Sequence, residues 1–378
     1  MKLNRVAKTL GTTLSATALA ALTLTACGSD NKAGTSGTSG SASRSGTASA
    51  AADCGGKASL TAEGSTAQQN AIAEFNKVWG QTCSGKNLSY NSTGSGAGRE
   101  QFIAKQVDFA GSDSALKDDQ VKQAADRCGG NPAWNLPLVF GPVALAYNIE
   151  GVAKLVVNGH VLAKIFQGEI KKWNDPAIAA LNSGTNLPDT DVKPIYRSDS
   201  SGTTDNFQNY LGAAAPQSWT KGAGSEFQGG AGAAAQKSAG VVRAVQATPG
   251  AIGYVEKGVA QQAGVPYAQI DSGAGAVELT DDSAKKAIDA TDIAAEGNDL
   301  TLDLNSLYGA KEPGAYPLVL ATYEIVCSKG YDADTAAAVK SFLTVSANQG
   351  QAGLSAAGSI PLPDAFKERL VKSIDAIA

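Results

Sequence analysis

Histidine is almost absent from this 378-residue sequence: His160 is the only one, and aromatic residues make up 6% of the chain. A metal site built from two or more histidines is therefore excluded, and histidine-dependent catalysis has a single candidate base. The sequence also has no Cys-x-x-Cys pair and no Gly-x-x-x-x-Gly-Lys-Ser/Thr loop. The usual zinc-ribbon and P-loop nucleotide sites are excluded with those motifs.

Charged residues are scarce as well, at 17%, and acidic residues outnumber basic ones. The formal net charge is −4, and because residues 1–26 contribute three positive charges and no negative ones, the rest carries −7. Such a chain has no overall attraction for nucleic acid or for anionic lipid. We therefore expect no nucleic-acid partner.

Residues 1–26 show the pattern of a secretory signal peptide. Lys2, Arg5 and Lys8 are followed by an uncharged stretch rich in Leu, Ala and Thr, which ends in Leu-Thr-Ala directly before Cys27. Small residues before a cleavage point are typical of exported chains, and a cysteine at this place resembles a bacterial lipobox. The alternative is a retained transmembrane anchor, for which the apolar stretch is barely long enough. We predict lipidation of Cys27 and attachment to the outer face of the cell membrane.

Residues 27–53 are predicted to be the lipidated cysteine and a flexible tether. Gly, Ser, Thr and Ala occupy 21 of the 26 positions after Cys27, so this segment has no apolar face to bury. The folded part is then expected to begin near Cys54. Four cysteines remain there, and an even number in an exported chain indicates two disulfides with three possible connectivities.

Two of these cysteines, Cys54 and Cys83, each lie just before a predicted strand. If those strands are neighbours in one sheet, the natural pairing is Cys54–Cys83 and Cys128–Cys327. The other two connectivities remain open on sequence alone.

Strand and helix patterns alternate along the folded part, which predicts an α/β architecture with ligands at the carboxyl ends of strands. The predicted strands are 57–63, 87–91, 107–110, 192–196, 251–256 and 321–326. The first two predicted helices are 67–79 and 99–106, and a glycine-rich turn at 92–98 precedes the second of them. Residues 136–148 are apolar but contain Pro137 and Pro142. Because prolines interrupt helices, this stretch is predicted to be extended chain that passes between two lobes.

A Gly/Ser/Thr turn that opens a helix occurs three times, at Gly64-Ser65-Thr66, Gly94-Ser95-Gly96 and Ser201-Gly202-Thr203. A helix amino terminus offers unpaired N–H groups and the positive end of the helix dipole, so it is suited to bind an anion. A single junction of this kind is usually an ordinary helix cap. Three of them favour a shared anion site.

Three charged residues accompany these junctions. Arg197 ends a predicted strand before the third junction, and its guanidinium can donate two hydrogen bonds to an oxyanion. Asp199 lies two residues further on, on the same side of an extended chain, where it can hold Arg197 in place. Asp113 follows another strand, where it is either the cap of a helix starting at Ser114 or a carboxylate facing the anion. A carboxylate repels a bound anion unless that anion carries a proton to donate.

Taken together, these segments resemble the phosphate-binding proteins of bacterial ABC uptake systems. The resemblance rests on the first junction and residues 93–98, 107–113, 158–184, 197–203 and 249–256, in matching order from about residue 58 to the carboxyl terminus. It implies a two-lobed periplasmic-binding-protein fold of type II, in which each lobe is a mixed sheet flanked by helices and the ligand lies in the cleft. The sequence departs from the family pattern at Ala67 and at Asp205-Asn206.

The resemblance also implies roles for individual residues. The expected phosphate ligands are Thr66, the backbone N–H of Ala67, Ser95, Arg197, Ser201, Gly202 and Thr203, with Asp113 as the acceptor of a phosphate proton and Asp199 as the support of Arg197. The expected lobes are residues 54–142 with 318–378, and residues 143–317. The expected partners are inorganic phosphate, the permease and ATPase subunits of the importer, and a membrane through the lipid anchor. No cofactor, no metal and no chemistry are expected, and the protein is expected to be monomeric.

Three alternatives compete with this hypothesis. The same fold can bind sulfate, molybdate or another oxyanion, although Asp113 disfavours fully deprotonated ligands. A secreted phosphoesterase would use Ser95 or Ser201 as nucleophile with His160 as the only histidine base, but His160 is far from both in sequence. A surface adhesin or structural lipoprotein would leave all three junctions as plain caps.

Overall fold

The structure is a computed structural model that describes residues 53–290 and 297–378. The predicted signal peptide, Cys27 and nearly all of the predicted tether lie outside the described residues. The strands are β1 Ser59–Gly64, β2 Asn87–Ser92, β3 Phe109–Ser112, β4 Ala133–Asn148, β5 Val156–Val157, β6 Lys193–Arg197, β7 Ala233–Ala235, β8 Ala251–Glu256, β9 Gln269–Asp271, β10 Ala276–Val277 and β11 Val319–Cys327. The helices are α1 Gln69–Thr82, α2 Ser95–Ile103, α3 Asp118–Arg127, α4 Gly159–Gln167, α5 Pro176–Ala179, α6 Gly202–Ala214, α7 Lys237–Ala247, α8 Lys257–Gln262, α9 Asp281–Asp289, α10 Asn305–Tyr308, α11 Ala333–Asn348 and α12 Asp364–Asp375.

Eight strands form one mixed sheet in the order β2-β1-β3-β11-β4-β8-β6-β7. Strand β1 is parallel to β2 and β3, and β6 is parallel to β7 and β8. Strand β11 is antiparallel to β3 and β4, and β4 is antiparallel to β8. A small second sheet has the order β10-β9-β5. Helices cover the parallel parts, as crossover connections between parallel strands require.

Strand β4 is 16 residues long and changes partner near its middle. Residues 133–142 pair with β11, and residues 143–148 pair with β8. We call β1, β2, β3, β11 and the first part of β4 the first strand group, and the second part of β4 with β6, β7 and β8 the second strand group. Pro137 and Pro142 lie within β4, so the prediction of extended chain through both prolines is confirmed.

Each strand group has its own aromatic packing. In the first, Trp79 on α1 and Phe109 on β3 both contact Phe342 on α11, and the Trp79 indole donates to the Ser341 hydroxyl at 3.0 Å. In the second, the rings of Phe207 and Tyr254 stack with their centroids 4.4 Å apart. Burial of large rings on one face of each helix fixes the helices on the sheet.

Helix α2 begins at Ser95, whereas the sequence predicts a turn over 92–98 and a helix only from residue 99. The glycines in its first turn serve close packing. A Cβ at Gly98 would lie 2.6 Å from the Glu63 carbonyl oxygen and 2.6 Å from the Gly64 Cα. The helix therefore approaches the end of β1 more closely than any other residue at position 98 permits.

Both predicted disulfides are present in the structure, between Cys54 and Cys83 and between Cys128 and Cys327. The argument from adjacent strands holds, because β1 and β2, which follow Cys54 and Cys83, are parallel neighbours. The second disulfide joins the residue after α3 to the last residue of β11.

Candidate functional site

The first two junctions meet at Asp113. Because β1 is parallel to both β2 and β3, the carboxyl ends of these three strands lie at one edge of the sheet. The hydroxyl of Ser65, after β1, donates to Asp113 Oδ1 at 2.5 Å, and that of Ser95, in the first turn of α2, donates to Oδ2 at 3.1 Å. Thr322 on β11 donates to Oδ1 at 2.7 Å. Three hydroxyls therefore surround one carboxylate.

Asp113 is not a helix cap, and that alternative is wrong. Helix α3 begins only at Asp118, and the Asp113 side chain is directed inwards with 3% of its surface exposed. Burial raises the pKa of Asp113 to about 6, against the lowering effect of the hydrogen bonds from Ser65, Thr322 and Ser95. A carboxylate with this pKa is mostly ionised at neutral pH and can accept a proton from a ligand.

The third junction contains an ion pair. Arg197 Nε donates to Asp199 Oδ1 at 2.8 Å, and Arg197 Nη2 donates to Oδ2 at 2.5 Å. Burial acts to lower the pKa of Arg197, but the hydrogen bonds and the charge of Asp199 outweigh it and leave that pKa above its ordinary value. Burial acts to raise the pKa of Asp199, but the hydrogen bonds and the charge of Arg197 outweigh it and leave the pKa of Asp199 below its ordinary value. Both groups are therefore charged, and Asp199 orients the guanidinium as predicted.

The remaining donor of Arg197 points towards hydroxyls. Its Nη1 lies 3.2 Å from the Ser238 Oγ and 3.4 Å from the Thr203 Oγ1. Ser238 also shares a hydrogen bond of 2.7 Å with the Thr66 hydroxyl of the first junction. The Thr203 hydroxyl donates to Glu256 at 2.6 Å. Arg197 and the first junction are thus connected through Ser238.

Ala67 and Ser201 take ordinary positions at helix starts. The Ala67 N–H donates to the Ser65 hydroxyl at 3.0 Å, just before α1 begins at Gln69. Ser201 is the cap of α6, and its hydroxyl accepts from the Thr204 N–H at 3.2 Å. Helix α6 is long enough for a full dipole, and the N–H groups of its first turn have no partner within the helix.

The amino terminus of α6 lies directly against Asp113 and Ser95. A Cβ built on Gly202 would lie 2.5 Å from the Asp113 Cβ and 2.6 Å from the Ser95 Oγ. The Asn206 amide donates to the Asp113 carbonyl at 2.6 Å and to the Gly202 carbonyl at 2.8 Å. The two strand groups are therefore in contact here, and Asn206, a departure from the family pattern, links them.

Further hydrogen bonds join the two strand groups around this point. The Gly96 N–H donates to the Ser200 carbonyl at 3.0 Å. Ser114 donates to Asp205 at 2.6 Å, which gives the other departure a structural role. The cleft is closed in this structure.

Sequence reasoning missed four polar contributors: Thr322, Ser238, Glu256 and Asn206. Thr322 and Glu256 lie on strands whose sequences are typical of a buried core, and both are far along the chain from the three junctions. Ser238 is in the first turn of α7, next to Lys237, whose φ of +63° is rare for a lysine. For Ser238 the sequence offered one signal, a serine at the start of a helical segment, and that signal is weak.

His160 lies away from these contacts on an exposed part of α4, where its Nδ1 hydrogen-bonds the Ser218 hydroxyl. Ser95 binds Asp113 and Ser201 caps α6, so neither of the two proposed nucleophiles is paired with His160, and the phosphoesterase alternative has no support from these contacts. Among residues 53–290 and 297–378, no cluster of three His, Cys, Asp or Glu residues could hold a metal ion. None of the helices in those ranges is both long and apolar enough to cross a membrane.

Comparison with known proteins identifies the family. Residues 32–348 match the family described as PBP superfamily domain. The chain is 48% identical over 380 residues to the phosphate-binding protein PstS 3 of Mycobacterium tuberculosis (strain ATCC 25618 / H37Rv), with 100% of both chains covered. It is 47% identical over 372 residues to PstS 2 of the same strain, covering 97% of this chain and 98% of the relative. The chain belongs to the PstS family.

Solved structures agree on the fold of this PstS-family chain. A phosphate-binding protein from Stenotrophomonas maltophilia superposes with a TM-score of 0.65 at 22% identity, covering 84% of this chain and 94% of the other. A high-affinity periplasmic phosphate-binding protein solved with bound phosphate gives a TM-score of 0.66 at 23% identity, covering 82% and 92%. The prediction of a two-lobed α/β binding-protein fold is confirmed.

Proposed function

We propose that this protein binds inorganic phosphate between its two lobes and delivers it to the permease of an ABC importer. The observation that carries the proposal is Asp113, a buried carboxylate placed where two junctions and the start of α6 converge. An anion site that includes a carboxylate needs a protonated anion. The full-length relatives named phosphate-binding proteins support the same ligand.

In this proposal each junction contributes donors from its helix start, and the Ser95 and Thr203 hydroxyls, which donate to Asp113 and Glu256 in this structure, turn to the anion when it binds. The ligands are Thr66, the N–H of Ala67, Ser95, Arg197, Ser201, Gly202 and Thr203, with Asp113 as the acceptor and Asp199 as the support of Arg197. Apart from Arg197, all of these donors are neutral, and Arg197 is already paired with Asp199. The site therefore recognises the anion through directed hydrogen bonds rather than through an excess of positive charge.

Asp113 gives selectivity because phosphate keeps at least one proton at neutral pH, whereas sulfate keeps none. Phosphate donates a charge-assisted hydrogen bond to the carboxylate. Sulfate would bring a like charge against the carboxylate and has no proton with which to form a hydrogen bond to it. Such a mismatch costs several kcal/mol, so a preference of about a thousandfold or more follows.

We further propose the lobe division 54–142 with 318–378 and 143–317. The change of β4 partner after Pro142 supports it, as do the contacts of α1 with α11 that return the carboxyl-terminal region to the first strand group. Closure of the lobes around the ligand would let the permease distinguish loaded from empty protein. Lipidation of Cys27 and location at the outer face of the cell membrane complete the proposal.

The test is calorimetric titration of the full chain, freed of anion by an enzymatic phosphate scavenger, with phosphate and then sulfate at pH 7.5. We expect saturable one-to-one binding of phosphate and no heat from sulfate. Equal binding of both anions would keep the cleft but remove the role of Asp113. Absence of binding to either anion would contradict the proposed function.

Protonation of Asp113 should change the selectivity. Because its pKa is raised to about 6, Asp113 takes up a proton as the pH falls below that value and becomes a donor. Sulfate stays fully deprotonated, so we expect its affinity to rise by at most about tenfold per pH unit, the limit for uptake of one proton. Competition binding between pH 7.5 and pH 5 measures this, and a sulfate affinity that does not change with pH contradicts it.

A further inference from the structure

A buried glutamate lies close to the first junction and is not one of the proposed phosphate ligands. Glu324 is in the middle of β11 with no exposed surface, opposite Gly111 of β3 and Leu136 of β4. Neither of its carboxylate oxygens has a hydrogen-bond partner. A buried ionised carboxylate without donors is strongly unfavourable, so its protonation state needs an explanation.

The neighbouring hydrogen bonds run in one direction. The Tyr90 hydroxyl donates to the Ser65 carbonyl at 2.8 Å, which uses the only proton of the phenol. The Gln68 Nε2 donates to the same phenol oxygen at 3.1 Å. The amide orientation of Gln68 is fixed by this arrangement, because a flipped amide would direct its oxygen at the lone pairs of the phenol.

This orientation leaves the Gln68 Oε1 as an acceptor, and it too is buried without a partner. The Gln68 side chain lies against Gly111, the residue opposite Glu324, because a Cβ built on Gly111 would lie 2.0 Å from the Gln68 Nε2. If Glu324 is ionised, its two carboxylate oxygens and the Gln68 Oε1 are all buried acceptors without a donor. One proton on Glu324 removes the conflict, because the acid then donates to Gln68.

We propose that Glu324 is held as a neutral carboxylic acid that donates to Gln68 Oε1, and that Glu324, Gln68 and Tyr90 form a hydrogen-bond chain that positions the Ser65 carbonyl. Ser65 belongs to the first junction and its hydroxyl donates to Asp113, so the chain fixes one wall of the phosphate site. Glu324 is thus a positioning residue. The expected effect on phosphate binding rests on the proposed function, whereas the protonation state of Glu324 does not depend on it.

The electrostatic surroundings agree with a neutral acid. Burial raises the pKa of Glu324 to about 8 and the negative charge of Asp113 raises it further, and together they outweigh the lowering that a Gln68 N–H directed at the carboxylate would bring. The other titratable group facing it is Tyr90, whose own pKa burial raises well above its usual range. A neutral Glu324 also adds no further negative charge near the anion.

The pH dependence of stability has a definite sign. Below its ordinary value of about 4.5, Glu324 is neutral in both the folded and the unfolded chain. Between that value and about 8 the unfolded chain ionises while the folded protein keeps its proton, so stability falls as the pH rises. Glu324→Gln cannot ionise and should lose this part of the pH dependence.

Two variants distinguish the effect of the donated hydrogen bond on phosphate binding from the effect of side-chain shape. Glu324→Gln keeps an N–H that can donate to Gln68, and we expect its phosphate dissociation constant at pH 7 to stay within about twofold of the natural value. Glu324→Leu leaves Gln68 Oε1 buried without a donor, and we expect binding about tenfold weaker. If the Gln variant binds as weakly as the Leu variant at pH 7, the proposal is overturned.

The decisive readout is the pH profile. The ratio of the dissociation constants, wild type over Glu324→Gln, should rise from about 1 at pH 7 to about tenfold at pH 9.5, since ionised Glu324 disrupts the chain and repels the anion. Protonation of phosphate and of Asp113 affects both proteins and cancels in the ratio. A ratio that does not change with pH overturns the proposal.

Infrared spectroscopy of ligand-free protein tests the protonation state without phosphate. With ¹³C-labelled glutamate, which separates glutamate from Asp113, the wild type should show a neutral carboxylic acid band at pH 7 that disappears by pH 9.5. The band should be missing in Glu324→Gln, and its absence from the wild type at pH 7 would overturn the proposal even if neither variant folds. A band present in a protein that binds no phosphate would refute the proposed function and leave the neutral acid standing.

Discussion

Asp113→Asn is expected to reduce the preference for phosphate over sulfate by about a thousandfold, which corresponds to about 4 kcal/mol. An asparagine amide can donate to a fully deprotonated oxyanion, whereas the carboxylate it replaces can only accept. Phosphate would lose its charge-assisted hydrogen bond to the carboxylate. Sulfate would gain a donor in place of a like charge.

The measurement is competition between the two anions by calorimetry at pH 7.5, with thermal unfolding as a check on folding. Asp119→Asn is the matched control, because Asp119 is exposed on α3 and its replacement removes the same charge from the protein. Its selectivity should equal that of the natural chain. An unchanged selectivity in Asp113→Asn would remove the proton-acceptor role from the proposal.

Gly202→Ala is expected to weaken phosphate binding by about a hundredfold, or about 3 kcal/mol, the upper part of the usual range for overpacking. The new Cβ would lie 2.5 Å from the Asp113 Cβ and 2.6 Å from the Ser95 Oγ, so the start of α6 could not reach its closed position. These neighbours are held by hydrogen bonds and cannot move away easily. Alanine is otherwise well suited to a helix, so folding should not suffer.

Gly212→Ala on the same helix is the control. A Cβ at Gly212 meets nothing within 4 Å. The variant should bind phosphate like the natural chain and be more stable by up to about 1 kcal/mol. If Gly202→Ala and Gly212→Ala bind phosphate equally well, the closed contact between α6 and Asp113 is not the binding state.

Local patterns in the sequence were sufficient to predict much of the fold. The extended path through Pro137 and Pro142 follows from what proline excludes, and the pairing of Arg197 with Asp199 follows from a spacing of two on an extended chain. Both predictions depend on residues that are close in sequence. Contacts between segments that are far apart in the sequence are not needed to make them.

The environment of Asp113 could not be predicted in the same way. Thr322 is 209 residues away along the chain, and it reaches the carboxylate only because β11 returns to pair with β3. Nothing in the sequence around Thr322 marks it as different from a core strand residue. Likewise, Glu324 lies in a strand that is otherwise apolar, and only the sheet order shows which polar groups it meets.

The second disulfide limits how the lobes can move. Cys128 lies shortly before β4 and Cys327 is the last residue of β11, and these two antiparallel strands pair along 133–142. A covalent bond at one end of this pair prevents β4 from sliding along β11 by a residue, a shift that would also reverse the side chains of each strand across the sheet. We therefore expect the lobes to open by rotation beyond Pro142 rather than by sliding of β4 along β11.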